Sequence, residues 1–421
     1  KICDQYYSKE ECLDLLHITI KAAGNLMLFT QHIQEIKIFH LPADRNDPKE
    51  AKAIFSITKE NFQGQPQYSL KETILSLASR LKSDNELRSH PLRRLQKITI
   101  SEKLEDYAGS ILPPLKNDAG LSVSASWLIS WATGTNQSLA KSFRNIIGAL
   151  PLSAVAVPFE MRANRLRPML LKDLPLGFYK SGHLFCFLPL PISCSLPVHI
   201  NGCFSVTSDR RQLMVSTEDD KKVQCSSWNK ALIQDALVNA YIYLLEGIRD
   251  NGPSTEYEYY SLWPLECHEN ELPIKKHFLT KLVQFKSRLF HRDLHWQNFE
   301  KSIFLDPSLR NDSNIGEIAF ETLLAFYSGG SSVVMELPDH VMTNLEAYYP
   351  TELKNKIVSK EQFFLNVFLP NIENKFWRHS QANINNRDKL IIYALEFENK
   401  AVRAALSSTK CIPSEPNGDL K

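Results

Sequence analysis

The stretch from Gly182 to Arg211 constrains the fold more than any other part of the sequence. It contains two apolar, β-favouring runs, Leu184–Leu190 and Val198–Thr207, joined by a proline-containing connection. Apolar side chains in both runs recur with the period of two that a half-buried strand requires. Proline cannot donate a ladder hydrogen bond, so the prolines confine strand pairing to the residues between them. These prolines are Pro189, Pro191 and Pro197. The stretch therefore predicts a pair of strands.

Two features of this stretch go beyond a plain strand pair. Asn201 and Gly202 interrupt the second run and predict a bulge or a tight bend. Arg210 and Arg211 follow it at the predicted strand exit, where exposed functional charge is common. Two solvated charges at the end of a strand need no function, however, so both interpretations of the arginine pair stay open.

Composition limits the classes of function. The chain has 421 residues, 43% of them hydrophobic, which is enough for two or three domains with full cores. The net charge is only +2, so no strong field gathers nucleic acid or an anionic membrane. No apolar run approaches the roughly 18 to 20 residues that cross a bilayer, and the first residues do not form a signal peptide. We expect no nucleic-acid partner and no membrane span.

The cysteines indicate the compartment. Eight cysteines are scattered without a C-x-x-C pair or a dense framework, which is typical of reduced thiols and predicts a cytoplasmic location. The chain lacks an initiator methionine and ends abruptly in P-N-G-D-L-K, so we expect it to be a segment of a longer protein.

The order of patterns predicts an α+β fold, a mixed sheet with packed helices, followed by a mainly α-helical region. Strand patterns dominate up to the long amphipathic helix predicted at Trp228–Arg249, which Ser227 would cap. The run N-G-P-S-T at 251–255 breaks this helix. It predicts two domains, 1–250 and 256–421. The predicted strands are 35–40, 51–58, 96–101, 121–131 and 152–161. The predicted helices are 13–31, 70–81, 137–147, 274–290, 315–327, 360–377 with a bend at Pro370, and 388–406.

One motif matches a catalytic loop letter for letter. H-R-D-L-H-W-Q-N, with Asp293 and Asn298, is the pattern in which protein kinases place a catalytic aspartate and a metal-binding asparagine. Kinase chemistry also needs a glycine-rich phosphate loop, a strand lysine and a D-F-G triplet, and the sequence contains none of these. We expect a polar turn here instead. Asp118, Gly120 and Ser122 likewise form only half of the nucleotide box of the GHKL ATPases, so we expect no cofactor in this chain.

Metal and thiol sites are weakly indicated. Cys267–His268 and His291 with His295 each offer a pair of ligands, but no second pair lies at zinc spacing, and surface histidines are the better interpretation. Cys194 or Cys203 could pair with His199 as a thiol nucleophile. Side chains four residues apart on one strand share a face but lie too far apart to hydrogen-bond, which favours core cysteines. The sequence therefore predicts no metal site and no catalytic residue.

Several short motifs of the sequence resemble those of a known family. F-C-F-L-P-L-P, L-P-V-H-I-N-G-C-F, S-D-R-R and W-N-K-A-L-I-Q-D-A-L-V-N-A-Y occur in order, and Y-Y-S-L-W-P, W-Q-N-F-E-K-S-I-F-L and V-V-M-E-L-P-D-H-V follow. Together they resemble the repeat region of the sacsin family, giant cochaperone-like proteins of the neuronal cytoplasm. In that family each large repeat opens with an ATPase-like domain similar to the ninety-kilodalton heat-shock chaperone. The resemblance places this chain just after such a domain.

The resemblance implies a non-catalytic structural and interaction segment of a chaperone-type protein. Its expected partners are other domains of the same long chain, and protein clients or heat-shock chaperones. The alternative is the transducer half of a GHKL-type ATPase, in which a basic residue reaches the nucleotide of the upstream domain. Arg210 and Arg211 are the candidates for that phosphate contact.

Overall fold

The structure is a computed structural model, and it describes most of the chain. The described residues are 8–30, 32–42, 44–62, 92–112, 117–134, 150–175, 177–215, 220–251, 259–267, 272–284, 286–292, 295–327, 332–411, 413–414 and 419–420. They form two compact units, Lys1–Phe278 and Leu279–Lys421. Each unit is described separately below.

A large mixed sheet organises the first unit. Within the described residues it has nine strands in the order β1-β2-β3-β4-β5-β9-β7-β8, and β6 pairs with β5 beside β9. All neighbours are antiparallel except β7 and β9. The strands are β1 Glu35–His40, β2 Lys52–Asn61, β3 Arg93–Leu104, β4 Ser122–Thr133, β5 Leu152–Arg162, β6 Arg165–Pro168, β7 Gly182–Cys186, β8 Leu188–Cys194 and β9 His199–Gly202.

Helices cover both faces of this sheet. The helices are α1 Lys9–Met27, α2 Ala108–Ile111, α3 Asp220–Leu232 and α4 Val238–Asp250, with a π-helical segment, Ile233–Leu237, joining α3 to α4. Helix α5, Lys275–Gln284, begins in this unit and ends in the second. Helix α1 packs against β2, β3 and β8, whereas α4 packs against β3, β4 and β5. Short 3₁₀ turns lie at Pro48–Glu50, Leu171–Asp173 and Tyr259–Leu262. The fold of this unit is therefore α+β, as the sequence predicts.

The core on the α1 side is aromatic. Trp131 of β4 meets Phe29, just beyond the end of α1, edge to face at 6.0 Å between ring centroids. Phe29 in turn meets Phe185 of β7 at 4.9 Å. All three side chains are fully buried, so they join the helix end to two strands that are distant in sequence.

A buried asparagine ties α1 to a later loop. Asn25 lies on α1 and has no exposed surface. Its Nδ2 donates to the carbonyl oxygen of Gly177 at 3.1 Å, and its Oδ1 accepts from the backbone N–H of Tyr179 at 3.1 Å. Its amide therefore fixes the segment that leads into β7.

On the opposite face, polar contacts fix α4. Ser130 Oγ of β4 donates to the carbonyl oxygen of Ala240 at 2.7 Å. Asn239 Nδ2 donates to the carbonyl oxygen of Thr133 at 3.0 Å. Satisfying these buried groups sets the axial position of the helix on the sheet.

The Gly182–Arg211 stretch forms three strands rather than two. The first apolar run turns back on itself at Phe187, which adopts a positive φ of 62° between β7 and β8. The backbone N–H of Phe187 donates to Asn201 Oδ1 at 2.7 Å, so a side chain of β9 holds the turn. β8 is an edge strand, which suits its prolines. Gly202 is the last residue of β9 and pairs with Ser153 in regular register, so no bulge forms there. A Cβ at this position would come within 2.9 Å of the Phe204 ring.

The second unit combines a small parallel sheet with helices. Its sheet has the order β13-β12-β14, and β10 pairs antiparallel with β11. The strands are β10 Phe290–Arg292, β11 His295–Gln297, β12 Ser302–Leu305, β13 Val333–Met335, β14 Ile357–Val358, β15 Pro413–Ser414 and β16 Asp419–Leu420. The helices are α6 Pro307–Arg310, α7 Gly316–Tyr327, α8 Asp339–Tyr348, α9 Pro350–Lys354, α10 Lys360–Gln362, α11 Gln381–Glu396 and α12 Lys400–Ser407. A π-helical segment, Phe363–Phe368, follows α10, and 3₁₀ turns lie at Phe299–Lys301, Leu369–Asn371 and Lys375–Arg378.

Aromatic side chains also organise the core of the second unit. Phe368 meets Trp377 edge to face at 5.6 Å, and Trp377 Nε1 donates to the carbonyl oxygen of Asn371 at 2.9 Å. The chain between these rings contains Pro370, which cannot continue a regular helix. The predicted helix at 360–377 is therefore a series of short helical segments.

Other predicted elements differ or lie elsewhere. Helix α3 begins at Asp220, so the prediction that Ser227 caps it is wrong. The predicted helices 70–81 and 137–147 fall outside the described residues, as does the predicted break at 252–255. The predicted domain boundary stays a prediction. No described helix has the length and hydropathy of a membrane-crossing segment.

We expect Asn25→Ala to destabilise the first unit by about 2 to 4 kcal/mol, because it leaves the buried Gly177 carbonyl and Tyr179 N–H unpaired. Guanidinium denaturation followed by tryptophan fluorescence measures the change. The control is Asn46→Ala at an exposed position, which should stay within about 0.5 kcal/mol. Equal effects of the two substitutions would contradict the anchoring role of Asn25.

Candidate functional site

Arg210 and Arg211 lie in a tight exposed loop, Thr207–Gln212. The backbone N–H of Thr207 donates to the carbonyl oxygen of Gln212 at 2.9 Å, and an isolated bridge between Val206 and Leu213 closes the base. The N–H of Arg210 donates to the carbonyl oxygen of Thr207 at 2.8 Å. The loop is therefore a compact turn of fixed shape rather than a simple strand exit.

Asp209 orders the tip of this loop. Its Oδ1 accepts from Thr207 Oγ1 at 2.5 Å and from the backbone N–H of Arg211 at 3.1 Å. The hydrogen bond from Thr207 is the main cause that lowers the pKa of Asp209, and the Arg211 N–H adds to it. The carboxylate thus stabilises the turn in its charged form.

The two arginines have different environments. Arg210 adopts a positive φ of 56°, and its Nη2 donates to the carbonyl oxygen of Cys186 at 3.0 Å, at the turn between β7 and β8. The Arg211 side chain is exposed and has no ion pair or hydrogen bond within the described residues. Arg210 therefore fastens the loop to the hairpin, while the Arg211 guanidinium is available to a ligand.

His199 lies in an aromatic layer on the α1 side of the sheet. Its ring stacks on Trp127 with centroids 5.4 Å apart and lies 6.1 Å from the His183 ring. Burial, with a smaller effect of the His183 charge, lowers the pKa of His199 to about 3. Neither ring nitrogen has a hydrogen-bond partner within the described residues. His199 is therefore a neutral core side chain at pH 7.

The thiol nucleophile suggested by Cys203 and His199 does not form. His199 makes no hydrogen bond to a thiol among the described residues. Burial raises the pKa of Cys203 to about 12, with a smaller contribution from Cys186. A thiol with a raised pKa is a poor nucleophile, which agrees with the core-cysteine interpretation.

The kinase-like motif has structural uses. Asn298 is buried, and its Oδ1 accepts from the backbone N–H of Lys301 at 3.0 Å, which caps the 3₁₀ turn Phe299–Lys301. His291 and His295 lie on the paired strands β10 and β11, where their register partners are Trp296 and Arg292. Asp293 and His268 lie outside the described residues. Among the residues that the structure describes, no group of three histidine, cysteine or acidic side chains could hold a metal ion.

A pocket of about 550 Å³ lies in the second unit. Leu305 and Met335, the last residues of β12 and β13, line its floor. Crevices outside the carboxyl ends of parallel strands are common ligand sites, and sites for small molecules have volumes of about 300 to 1,000 Å³. The position and size of this pocket both suit a bound ligand.

Arg310 lines this pocket and forms ion pairs with two other lining residues. Its Nη1 pairs with Glu317 at 2.7 Å and its Nη2 with Glu336 at 2.7 Å. The guanidinium also lies 4.9 Å from the centre of the Phe320 ring. Because two carboxylates balance one cation, the pocket favours groups that donate hydrogen bonds over anions.

Asp312 closes one side of the same pocket. Its Oδ2 accepts from Lys360 Nζ at 2.7 Å and from the Tyr393 hydroxyl at 2.7 Å. Burial alone raises the pKa of Asp312, but the hydrogen bonds from Lys360 and Tyr393 outweigh it, and the pKa falls to about 2. This network joins the loop before α7 to α10 and α11.

One sequence pattern could have indicated this pocket. Two short apolar runs are each followed by an acidic residue and a proline, as L-D-P at 305–307 and E-L-P at 336–338. Acidic residues and prolines after an apolar run indicate the end of a strand and the start of a loop. Arg310, Glu317 and Glu336 are brought together only by the fold.

Asp312→Asn should lower the stability of the second unit at pH 7. The folded-state pKa of Asp312 is depressed to about 2, so its contribution is present above the unfolded value of 3.8 and is lost as pH falls through about 2. The difference between the parent and Asp312→Asn should therefore vanish over this window in urea titrations. A double-mutant cycle with Lys360→Met should show coupling, while the exposed pair Glu35 and Lys37 should show little. A difference that is constant with pH would contradict this role of Asp312.

Comparison with known proteins gives one informative match. No family model matches the chain, and no solved structure matches it. The chain is 30% identical over 312 residues to Sacsin of Homo sapiens. The match covers 69% of this chain and 6% of Sacsin, so the chain spans only a small part of that relative's length.

The match agrees with the sacsin-like motifs of the sequence, which follow one another from strand β7 to strand β13 and beyond. The chain is a sacsin-like segment.

Proposed function

We propose that this chain is a non-catalytic structural and interaction segment of a chaperone-type protein, a cochaperone, and that it contributes to protein quality control by scaffolding protein contacts. The similarity to Sacsin supports the chaperone theme. A cytoplasmic location, including that of neurons, follows as part of the same proposal.

The observation that carries the proposal is that several polar side chains capable of catalytic roles already have hydrogen-bond or ion-pair partners within the fold. Asn298 and Asp306 each cap a helical turn through a backbone N–H. Arg310 is paired with two glutamates, and Arg210 donates to a carbonyl oxygen. Groups engaged in this way stabilise the fold and are not free for acid-base or phosphate chemistry.

The surface supports protein contacts. Leu15 and Ile18 of α1 are 62% and 65% exposed, and Leu121 is 53% exposed. The net charge is close to neutral. Apolar side chains on a weakly charged surface suit association with other domains of the same long chain, with protein clients or with heat-shock chaperones.

A binding assay tests the interaction role. We expect the chain, immobilised at a single site, to bind its neighbouring domains or a heat-shock chaperone with a fixed stoichiometry and no nucleotide turnover. Leu15→Ser combined with Ile18→Ser should weaken binding about tenfold or more, since it removes two exposed apolar side chains. Ile392→Ser, at a position 57% exposed in the second unit, is the matched control. Absence of binding by the unaltered chain would contradict the proposal.

A second function is favoured by one feature, the exposed Arg211 side chain on an ordered loop. In this alternative the chain is the transducer half of a GHKL-type ATPase, and the guanidinium reaches the nucleotide of the upstream domain. A preorganised cation at that place stabilises charge on the transferring phosphate.

Nucleotide turnover separates the two functions. In a longer protein that contains the upstream ATPase-like domain, Arg211→Ala should leave turnover unchanged if the chain is an interaction segment. The transducer function predicts a loss of about 10²- to 10³-fold. Arg210→Ala reports the effect of loosening the loop, and Arg165→Ala, which replaces an exposed arginine at the start of β6, is the control. A parent without turnover rejects the transducer function.

A further inference from the structure

One carboxylate lies in a row of aliphatic side chains in the first unit. The inward-facing residues of β3 are Ile98, Ile100, Glu102 and Leu104. Glu102 is only 5% exposed, and it faces α1 together with its aliphatic neighbours. An acid at such a position needs a compensating partner or a function.

Two glycines make room for this carboxylate. A Cβ at Gly24 of α1 would come within 2.6 Å of Glu102 Oε1, and a Cβ at Gly177 would come within 1.9 Å of Oε2. Despite this close enclosure, Oε1 has no hydrogen-bond partner within the described residues. The fold therefore accommodates a buried acid but leaves one of its two oxygens without a partner among the described residues.

The unsatisfied oxygen belongs to a side chain that lines a cavity. The cavity has a volume of about 100 Å³, and its other walls are mostly aliphatic or aromatic. They include Ile20, Phe55, Leu104 and Val123. A dry cavity of about 150 Å³ holds a molecule of the size of benzene, so this one fits a chain of about four carbon atoms.

The charges around the cavity favour a cation. Lys21 and Asp118 lie at its edge, and Lys21 is exposed to solvent. Once Glu102 has lost its proton, two carboxylates face one lysine whose ammonium can remain in water. Other ionisable side chains on the surrounding elements are His17 on α1, Lys59 on β2, and Asp173 and Tyr179 before β7.

Burial raises the pKa of Glu102 to about 8, against a smaller lowering by the backbone of Gly24. At pH 7 the carboxyl therefore holds a proton. An incoming ammonium group exchanges with this proton, which leaves to solvent, and the result is a paired carboxylate.

We infer that the cavity at Glu102 is a binding site for a primary alkylammonium group, the chemistry of a lysine side chain. The ammonium pairs with the Glu102 carboxylate, and the methylene stem lies along the aliphatic wall. Binding of a partner's lysine rests on the interaction role proposed above, whereas binding of a free amine tests the cavity alone.

Titration of the 421-residue chain with n-butylammonium at pH 8, by calorimetry or NMR, tests the site. We expect saturable binding that is at least tenfold tighter than that of n-butanol and is weakened at least tenfold by Glu102→Gln. The rim variant Lys21→Met is the matched control, and it should bind the amine as tightly as the parent or more so. Equal affinity for butanol, or an unchanged affinity in Glu102→Gln, would overturn the inference.

The pH dependence gives an independent readout. Since the ammonium competes with a proton, its affinity should rise about tenfold per pH unit below about 8 and level off above it. In Glu102→Gln this rise should be absent, so any residual dependence comes from the other ionisable groups. A flat profile in the parent chain would contradict proton exchange at Glu102.

Stability measurements show whether the variant remains folded. The raised pKa means that the protonated carboxyl stabilises the fold fully below the unfolded value of 4.5 and that this stability is lost as pH rises through about 8. Glu102→Gln should remove this loss. An unfolded Glu102→Gln chain at pH 5 would contradict the view that a neutral side chain suffices there.

The source of the ammonium is resolved by two further ligands, Nα-acetyl-lysine amide and Nα-acetyl-norleucine amide. Binding of the lysine compound but not of the norleucine compound supports a polypeptide lysine. Binding of n-butylammonium alone supports a free amine and separates the site from the proposed interaction role. Binding of neither cation overturns the site.

Discussion

The burial of the central strands on both faces is the constraint on which the first unit depends. Trp131 of β4 packs under Phe29 on one face, and Ser130, the residue before it, bonds to Ala240 of α4 on the other. Alternate side chains of one strand thus meet two different helices. With both faces covered, buried polar groups near the centre need partners inside the fold, which Asn25 has and Glu102 Oε1 lacks among the described residues.

The same constraint decides which side chains are free to act. His199 is neutral because it is buried against Trp127, and the Cys203 thiol holds its proton because it is buried too. In the exposed loop that contains Arg210 and Arg211, the Arg210 guanidinium is engaged by the carbonyl oxygen of Cys186. In the second unit, Arg310 is held by Glu317 and Glu336 at the ends of a parallel sheet. Structural engagement of this kind fits a surface for association.

Much of the fold could be predicted, and the failures have identifiable causes. The strand at Glu35–His40 and the long strands β3 to β5 follow their apolar alternation. The hairpin at Phe187 could not be found, because its positive φ is stabilised by Asn201, fourteen residues away. Ser227 resembles a cap but lies inside α3, since a helix start depends on the residues before it as well as on the capping side chain. For the candidate site, only the exposure of the arginine pair was foreseeable.

The sequence by itself determined the α+β class, the positions of most strands and the sacsin-like words, because each depends on local period or on the order of short motifs. Only the tertiary structure decided that Gly24 and Gly177 enclose Glu102 beside a cavity and that Arg310 meets Glu336 beside another. Local patterns report which face of an element is buried. They cannot report which residues far apart in the chain share that face, and the pairing of strands and the docking of α1 settle it.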